Sequence, residues 1–373
     1  MKLALITQDF PPEMGGIQTY SYEIAKRLAP RCEEFVLIAP DKPNAQAVDS
    51  QLDFEVLRVK TPNTLLGTLG ALRVVRFLKK RKIDHIFHAQ WQTLPISVFA
   101  RKRGLVCSVT VAAHGREYIF NPFSGTKVGA KLYENYKKYL ITKVDYFLPV
   151  SRYTSGILEQ YSIPAKQQTV VMNGTNPNLF FPINNNALKE KYGYTGKQII
   201  LTTARLIKAK GLDTILRAIP NLVSEFPDLQ YLIVGEGPYK ADLERLTTDL
   251  GMEAHVKFTG RIPYEKVNEY YNLCDIYVML SEIEAFGIVY LEAAACGKPS
   301  IGSRIGGIPD AIIENETGLL VEAGQSEELI EAIKRLLADD ALRTRMGEAG
   351  RARVLREANW DRVGDLIFDL LTA

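Results

Sequence analysis

The sequence is poor in the features that staple a fold or anchor it in a membrane. Four cysteines in 373 residues (Cys32, Cys107, Cys274 and Cys296) stand far apart, with no Cys-x-x-Cys pair. That excludes a disulfide framework and a cysteine-based zinc site, and it fits a reducing compartment. No apolar run approaches the roughly 20 residues that cross a bilayer. Met1 and Lys2 lead directly into the strand-length LALIT and then the polar Gln8-Asp9, so no secretory leader is expected. Together these absences predict a cytoplasmic protein.

Three missing motifs narrow the chemistry. The absence of GxxxxGK[ST] disfavours a P-loop ATPase or kinase. No GxGxxG dinucleotide fingerprint occurs, because Gly235-Glu236-Gly237 runs into Pro238-Tyr239-Lys240. Nor is there an Asp-x-Asp triplet, the paired carboxylates with which many transferases hold a diphosphate through a divalent metal. If this chain handles phosphate, cationic side chains and helix amides must do so. No metal and no cofactor are therefore expected.

What is present is the composition of a globular protein, 46% hydrophobic and 24% charged, without low-complexity tracts. The length suits two domains of roughly 180 residues. Residues 1–175 hold 24 Lys and Arg against 14 Asp and Glu, whereas residues 176–373 hold 22 against 29. A basic half beside an acidic one reads either as a solvated basic face or as a surface for something anionic, such as a membrane or a phosphorylated acceptor. A nucleic-acid partner is not expected.

Short apolar runs alternate with amphipathic stretches along the first half. KLALIT, EFVLIA, FEVLRV, HIFHA, SVTVAAH, DYFLPVS and QTVVMNG read as strands, with helices across Thr19–Leu28, ALRVVRFLKKRK and LPISVFARKRG. The pattern restarts with IILTTAR, YLIVG, VKFTG, DIYVMLS, PSIGS and GLLVEA, again separated by helical segments. Buried strands of this kind predict parallel sheets covered on both faces. The fold class is thus α/β, with two Rossmann-like doubly wound domains at 1–175 and 176–355. The Asn- and Pro-rich Asn173–Asn186 marks the boundary, and a helix within 356–373 is expected to return to the first domain.

Candidate site residues lie where strands give way to helices. Glu284-Ala-Phe-Gly-Ile-Val-Tyr-Leu-Glu292 places two carboxylates around a helix start, and a helix from Phe286 or Gly287 would aim free amides at an anion. Spacing alone favours an ordinary helix N-terminus with a surface glutamate. Arg205 and Lys210, five residues apart beside Gly211, can reach both phosphates of a nucleoside diphosphate. Gly15 and Gly16 permit a tight turn and a close backbone approach. His114 ends a strand, where a catalytic histidine and a satisfied structural one are both admissible. Thr126–Lys143 interleaves Lys with Tyr and Leu, which fits a membrane-lying amphipathic helix or a core-facing helix with solvated lysines.

In this order the segments resemble the retaining GT-B glycosyltransferases of family 4 (group 1), over nearly the whole chain. TGLLVEAG and GGIPDAI add to the likeness. The resemblance implies two domains facing a central cleft, with a nucleotide-diphosphate sugar in the second and a lipid-linked or glycan acceptor in the first. It implies that Arg205 and Lys210 bind the diphosphate and that Glu284 contacts the transferred sugar. The amides of Phe286, Gly287, Ile288 and Val289 would meet the phosphates, and Glu292 the ribose. Gly16 would approach the diphosphate and His114 the sugar. Within the group, TQDFPPEMGGIQTY and FGIVYLEAAACG are most similar to the bacterial phosphatidylinositol mannoside mannosyltransferases, which use GDP-mannose. The segment LSEIEAFG is shorter than the one those enzymes can carry. UDP-glucose, UDP-galactose and UDP-N-acetylglucosamine therefore stay open as donors. So do a nucleotide-sugar 2-epimerase and a non-catalytic binder on the same fold, while a pyridoxal-phosphate phosphorylase lacks a convincing lysine.

Overall fold

The computed structural model describes residues 1–13, 15–61, 66, 70–105 and 107–372. Met14 of the glycine loop and Ala373 lie outside the described residues. The chain forms two compact units, Met1–Asn173 with Trp360–Ala373, and Gly174–Asn359.

In the first unit β1 (Lys2–Ile6), β2 (Glu34–Pro40), β3 (Glu55–Val59), β4 (His85–His88), β5 (Ser108–Ala113) and β6 (Tyr146–Pro149) form one sheet in the order β3-β2-β1-β4-β5-β6. Every pairing is parallel. The central strands are buried along almost their whole length, because helices cover both faces. The expected strand QTVVMNG is absent. Gln168 makes an isolated bridge to Phe147, and the amides of Thr169 and Val171 reach the carbonyls of Phe147 and Pro149 at 3.1 and 2.9 Å. The segment lies along β6 and then leaves the unit before a ladder can form.

The second unit repeats the plan. Its strands are β7 (Gln198–Thr203), β8 (Leu229–Val234), β9 (Val256–Gly260), β10 (Ile276–Met279), β11 (Ser300–Ser303) and β12 (Gly318–Val321). They pair in parallel in the order β12-β11-β10-β7-β8-β9. Counted from its own first strand, each sheet reads 3-2-1-4-5-6, the doubly wound order with its switch point between strands 1 and 4.

The units divide two residues before position 175 and four after position 355. Thr175 bridges Asn359, and its amide donates to the Ala358 carbonyl at 3.0 Å, so both crossing strands of chain are tied to each other within the second unit. The Asn-rich boundary is more ordered than its composition implies. The Phe181 and Ile183 amides donate to the side chains of Asn268 and Asn272, and a helix Asn185–Tyr192 begins under an Asn184 cap.

The helix Trp360–Thr372 belongs to the first unit and packs on Gly16–Leu28. Arg27 pairs with Asp361 at 2.8 Å, and Arg31 pairs with Asp365. Gly364 is required at this crossing, since a Cβ there would meet the Arg27 Cβ at 2.7 Å. Trp360 is fully enclosed, edge-on to Tyr20 at 6.0 Å between ring centroids.

Candidate active site

In the second unit the site grows from the carboxyl ends of β7 and β10, the two strands that flank the switch point. After β7 the Ala204 and Leu206 amides donate to the carbonyls of Val234 and Glu236 at 3.0 Å each. The side chain of Arg205 between them is exposed and makes no hydrogen bond or ion pair among the described residues. The chain then turns at Lys208–Lys210 into Gly211, which has φ +64°; a Cβ there would strike the Leu280 carbonyl at 2.1 Å. That close approach locks the β7 and β10 loops together, and the Glu282 amide adds a bond to the Ala209 carbonyl at 2.9 Å.

This clamp brings Lys210 Nζ to within 2.6 Å of Glu284 Oε2. Both side chains are partly buried. Behind Glu284, Gly306 (φ +54°) lets another loop pass its carbonyl, and the Gly307 amide donates to that carbonyl at 3.0 Å. The helix starts at Ile288 rather than at Phe286, running Ile288–Ala295 with Gly287 (φ +91°) as N-cap. Phe286 is a core residue whose side chain is buried. The amides of Ile288 and Val289 find no backbone acceptor among the described residues, leaving two donors at a positive helix end.

One turn along, Glu292 Oε2 accepts a hydrogen bond from the Tyr271 hydroxyl at 2.6 Å. Burial raises its carboxyl to about 7, and the Tyr271 bond opposes that rise.

In the first unit His114 follows β5. Its ring lies edge-on to Tyr20 at 4.8 Å, and Nε2 is 2.9 Å from the Ala89 carbonyl. A carbonyl only accepts, so Nε2 carries the proton and Nδ1 is left as an acceptor. Burial pushes the imidazole down to about 4, so it is neutral at physiological pH. Glu117 accepts from the His114 amide at 2.6 Å, and burial raises its carboxyl to about 7. After β1, Asp9 accepts from Gln90 Nε2 at 2.6 Å and Gln18 Nε2 at 3.0 Å; burial raises its pKa. At Gly15 a Cβ would come within 2.5 Å of Gln18 Oε1, the end of a flexible side chain that can swing aside. At Gly16 no atom of the described residues lies within 4 Å of the corresponding position.

The lysines of Thr126–Lys143 are not all solvated. Lys137, on the helix Lys127–Ile141, is completely buried and donates to the Tyr118 carbonyl at 2.7 Å and to Glu134 at 2.9 Å. It lies 5.2 Å from the Tyr161 ring centroid. Tyr271 and Lys137 escaped the sequence reading because each works through a partner distant in sequence, Glu292 and the Tyr118 carbonyl. Glu117 escaped it because its bond to the His114 amide exists only in the turn after β5. Among the described residues no three His, Cys, Asp or Glu side chains converge as a metal-binding group.

Two doubly wound units with a cationic, amide-rich end on the second define a GT-B glycosyltransferase. Comparison with known proteins agrees. Residues 184–353 match the model of the glycosyl transferases group 1, and residues 14–179 that of glycosyltransferase family 4. The GDP-mannose-dependent monoacylated alpha-(1-6)-phosphatidylinositol monomannoside mannosyltransferase of Corynebacterium glutamicum is 30% identical, over 99% of this chain and 97% of its own. The GDP-mannose-dependent alpha-(1-6)-phosphatidylinositol monomannoside mannosyltransferase of Mycolicibacterium smegmatis is 29% identical over 99% and 98%. The Anabaena protein HepE, solved in complex with UDP, superposes with a TM-score of 0.84 over 100% of both chains at 20% identity, a likeness of fold. The chain belongs to the family of group 1 glycosyltransferases and is a hexosyltransferase.

Proposed function

We propose that the chain transfers mannose from GDP-mannose to a lipid-linked inositol glycan, with retention of configuration and without a catalytic metal. One observation carries the donor half of this reading: Lys210, held at 2.6 Å from Glu284 beside the free amides of Ile288 and Val289, with Arg205 unpaired on the same loop. Cations and amides fixed in this way neutralise charge that grows on a departing diphosphate without reorganising. The identity of the donor and the acceptor rests on the mannosyltransferase relatives, matched over the full chain.

In the reaction the bond between the sugar's C1 and the diphosphate oxygen breaks, through an oxocarbenium-like transition state. Arg205, Lys210 and the helix amides hold the leaving diphosphate. The acceptor hydroxyl forms its bond to C1 on the same face and passes its proton to a diphosphate oxygen. Glu284 accepts from hydroxyls of the transferred sugar, and Glu292 from those of the ribose. His114, neutral, accepts a sugar hydroxyl at Nδ1 and does not act as an acid. Gly16 keeps the diphosphate role that the family resemblance implies.

A lipid acceptor calls for contact with a membrane, and no described helix is long and apolar enough to cross one. The helix Lys127–Ile141 and the loop before it expose Ile119, Phe120, Phe123, Val128, Leu132 and Tyr136 among Lys127, Lys131 and Lys138. Such a surface fits peripheral docking on an anionic bilayer at the cytoplasmic face. Cosedimentation with anionic vesicles, lost in Phe120→Asp/Leu132→Asp, supports docking; unchanged pelleting in that variant rejects it.

The direct test is calorimetric titration with GDP, UDP and ADP without added metal, followed by turnover of the matching nucleotide sugar with and without a phosphatidylinositol mannoside acceptor. A preference for GDP and acceptor-dependent release of GDP support the reading. A preference for UDP moves the donor to a glucosyl or hexosaminyl type. Turnover without acceptor indicates an epimerase, and binding without any turnover a non-catalytic binder.

A further inference from the structure

Glu292 does not stand alone on its helix. Tyr271, on the helix Tyr264–Leu273, is fully buried and gives its hydroxyl hydrogen to Glu292 Oε2. The same hydroxyl lies 2.7 Å from Thr203 Oγ1, at the end of β7. Thr203 in turn is met by the Tyr277 hydroxyl, 3.3 Å from its Oγ1 and 3.2 Å from its carbonyl. The carbonyl can only accept, so Tyr277 donates. Tyr271, whose one hydrogen is committed to the carboxylate, must accept from Thr203. The hydrogens of Thr203 and Tyr271 therefore both point toward the carboxylate, while Tyr277 gives its one hydrogen to the Thr203 carbonyl. Oε1 of Glu292 carries no hydrogen bond among the described residues.

We propose that Tyr271 is a positioning residue for the donor's ribose, orienting the Glu292 carboxylate from behind so that it receives the ribose hydroxyls. The proposal rests on the reading of Glu292 as the ribose acceptor. A hydrogen bond to a carboxylate at 2.6 Å fixes the rotamer and withdraws one lone pair, leaving Oε1 for a diol. Burial sets the tyrosines' hydroxyls well above their ordinary range, so both stay donors at any working pH. The titratable groups facing Glu292 are Tyr271 on the helix Tyr264–Leu273, Tyr277 on β10 and Cys296 one turn along from Glu292; burial keeps that thiol protonated. Glu292, near 7, is the group that changes charge. Above about 7 it is a two-oxygen acceptor for the ribose; below, it carries a proton and loses part of that capacity. Removing the Tyr271 hydroxyl removes the bond that holds its pKa down, so the loss moves to higher pH.

The experiment titrates the whole protein with GDP and UDP, each beside its 2′,3′-dideoxy analogue, from pH 5.5 to 8.5. The ratio of parent to dideoxy affinity cancels the phosphate's own titration. The wild type is compared with Tyr271→Phe, Thr203→Val and Glu292→Gln. We expect Tyr271→Phe to weaken the better-bound parent nucleotide on the order of tenfold at pH 7, to leave its dideoxy analogue unchanged, and to shift the midpoint of the ratio upward. Thr203→Val should move the midpoint the same way by less. Equal weakening of parent and dideoxy nucleotides in Tyr271→Phe would make the residue merely structural and overturn the proposal. A wild-type ratio and midpoint in Tyr271→Phe, with Glu292→Gln impaired, overturns it too and leaves the ribose reading standing. If Glu292→Gln also keeps the wild-type ratio, the ribose reading falls and the proposal with it.

Discussion

The two units share one topology and differ in the chemistry at the carboxyl ends of their strands. In the second, side chains that carry charge stand partly open: Lys210 against Glu284, with Arg205 exposed nearby on the β7 loop. In the first, the groups at the equivalent positions are buried and pushed toward neutrality. Burial lowers His88, the last residue of β4, and His114 after β5, and it raises Asp9 and Glu117. One sheet order thus supports opposite electrostatics, because the strand ends and the loops after them carry different residues. A charged end suits a diphosphate. A neutral, hydrogen-bonding end suits hydroxyls.

The sharpest way to break that contrast is to remove charge on one side and a neutral acceptor on the other. Lys210→Met should lower kcat/KM by roughly 10³-fold, because it deletes a fixed cation and leaves Glu284 partly buried without a partner. Adding Glu284→Gln should cost less than its single effect, since the two act as a pair. His114→Gln keeps an acceptor and should lower kcat/KM by roughly tenfold, within the range for one neutral hydrogen bond. Equal losses in Lys210→Met and His114→Gln would mean that the units do not divide the chemistry this way.

A second contrast concerns what holds each end in place. The first unit closes with the C-terminal helix, which seats Trp360 against Tyr20, and Tyr20 against His114. Both tryptophans of the chain, Trp91 and Trp360, belong to this unit. Trp360→Ala should destabilise it by about 3 kcal/mol, the low end of the cost of emptying such a site. In urea denaturation the fluorescence of the remaining Trp91 should shift to lower midpoint, while a far-ultraviolet circular dichroism phase from the second unit stays in place. A shift of both phases together would show that the helix braces more than its own unit.

Much of this was legible in the sequence, and the exceptions have physical causes. Strands such as LALIT and IILTTA are continuous apolar runs, so parallel, doubly covered sheets follow from composition alone. Arg205, Lys210 and Glu284 stand at strand-to-helix turns that periodicity locates, and Glu292 lies in the helix that follows. The segment QTVVMNG has strand-forming residues, yet whether a neighbour offers an edge along its whole length is a tertiary matter. Lys137 reads as one solvated lysine among several, because burial depends on Tyr118, Glu134 and Tyr161 arriving from elsewhere. Tyr271 reads as an ordinary aromatic of an amphipathic helix. Its role exists only once Glu292, 21 residues on, turns back toward it.

The smallest expected effect is the most direct comparison, because each unit holds one glutamate raised by burial from 4.5 to about 7: Glu117 in the first and Glu292 in the second. A carboxyl raised on folding binds its proton more tightly in the native state. Its contribution to stability is complete below about 4.5 and is lost as pH rises through about 7. The lowered histidines of the first unit act oppositely, contributing above their unfolded pKa near 6.5 and losing it as pH falls. The readout is therefore the difference between wild type and variant. Between pH 5 and 8, Glu117→Gln should abolish a fall of several degrees in the fluorescence-monitored Tm, since a rise from 4.5 to about 7 amounts to roughly 3 kcal/mol and each kcal/mol moves Tm by about 2–4 °C in a domain of this size. Its mean Tm should drop, since a glutamine offers one acceptor oxygen to the amides of His114, Gly115 and residue 117 itself. Glu292→Gln should remove the corresponding fall from the circular dichroism transition alone. A Glu117→Gln protein that keeps the wild-type pH dependence would mean that the first unit solvates this carboxylate after all, and the neutral end of the comparison would lose its main support.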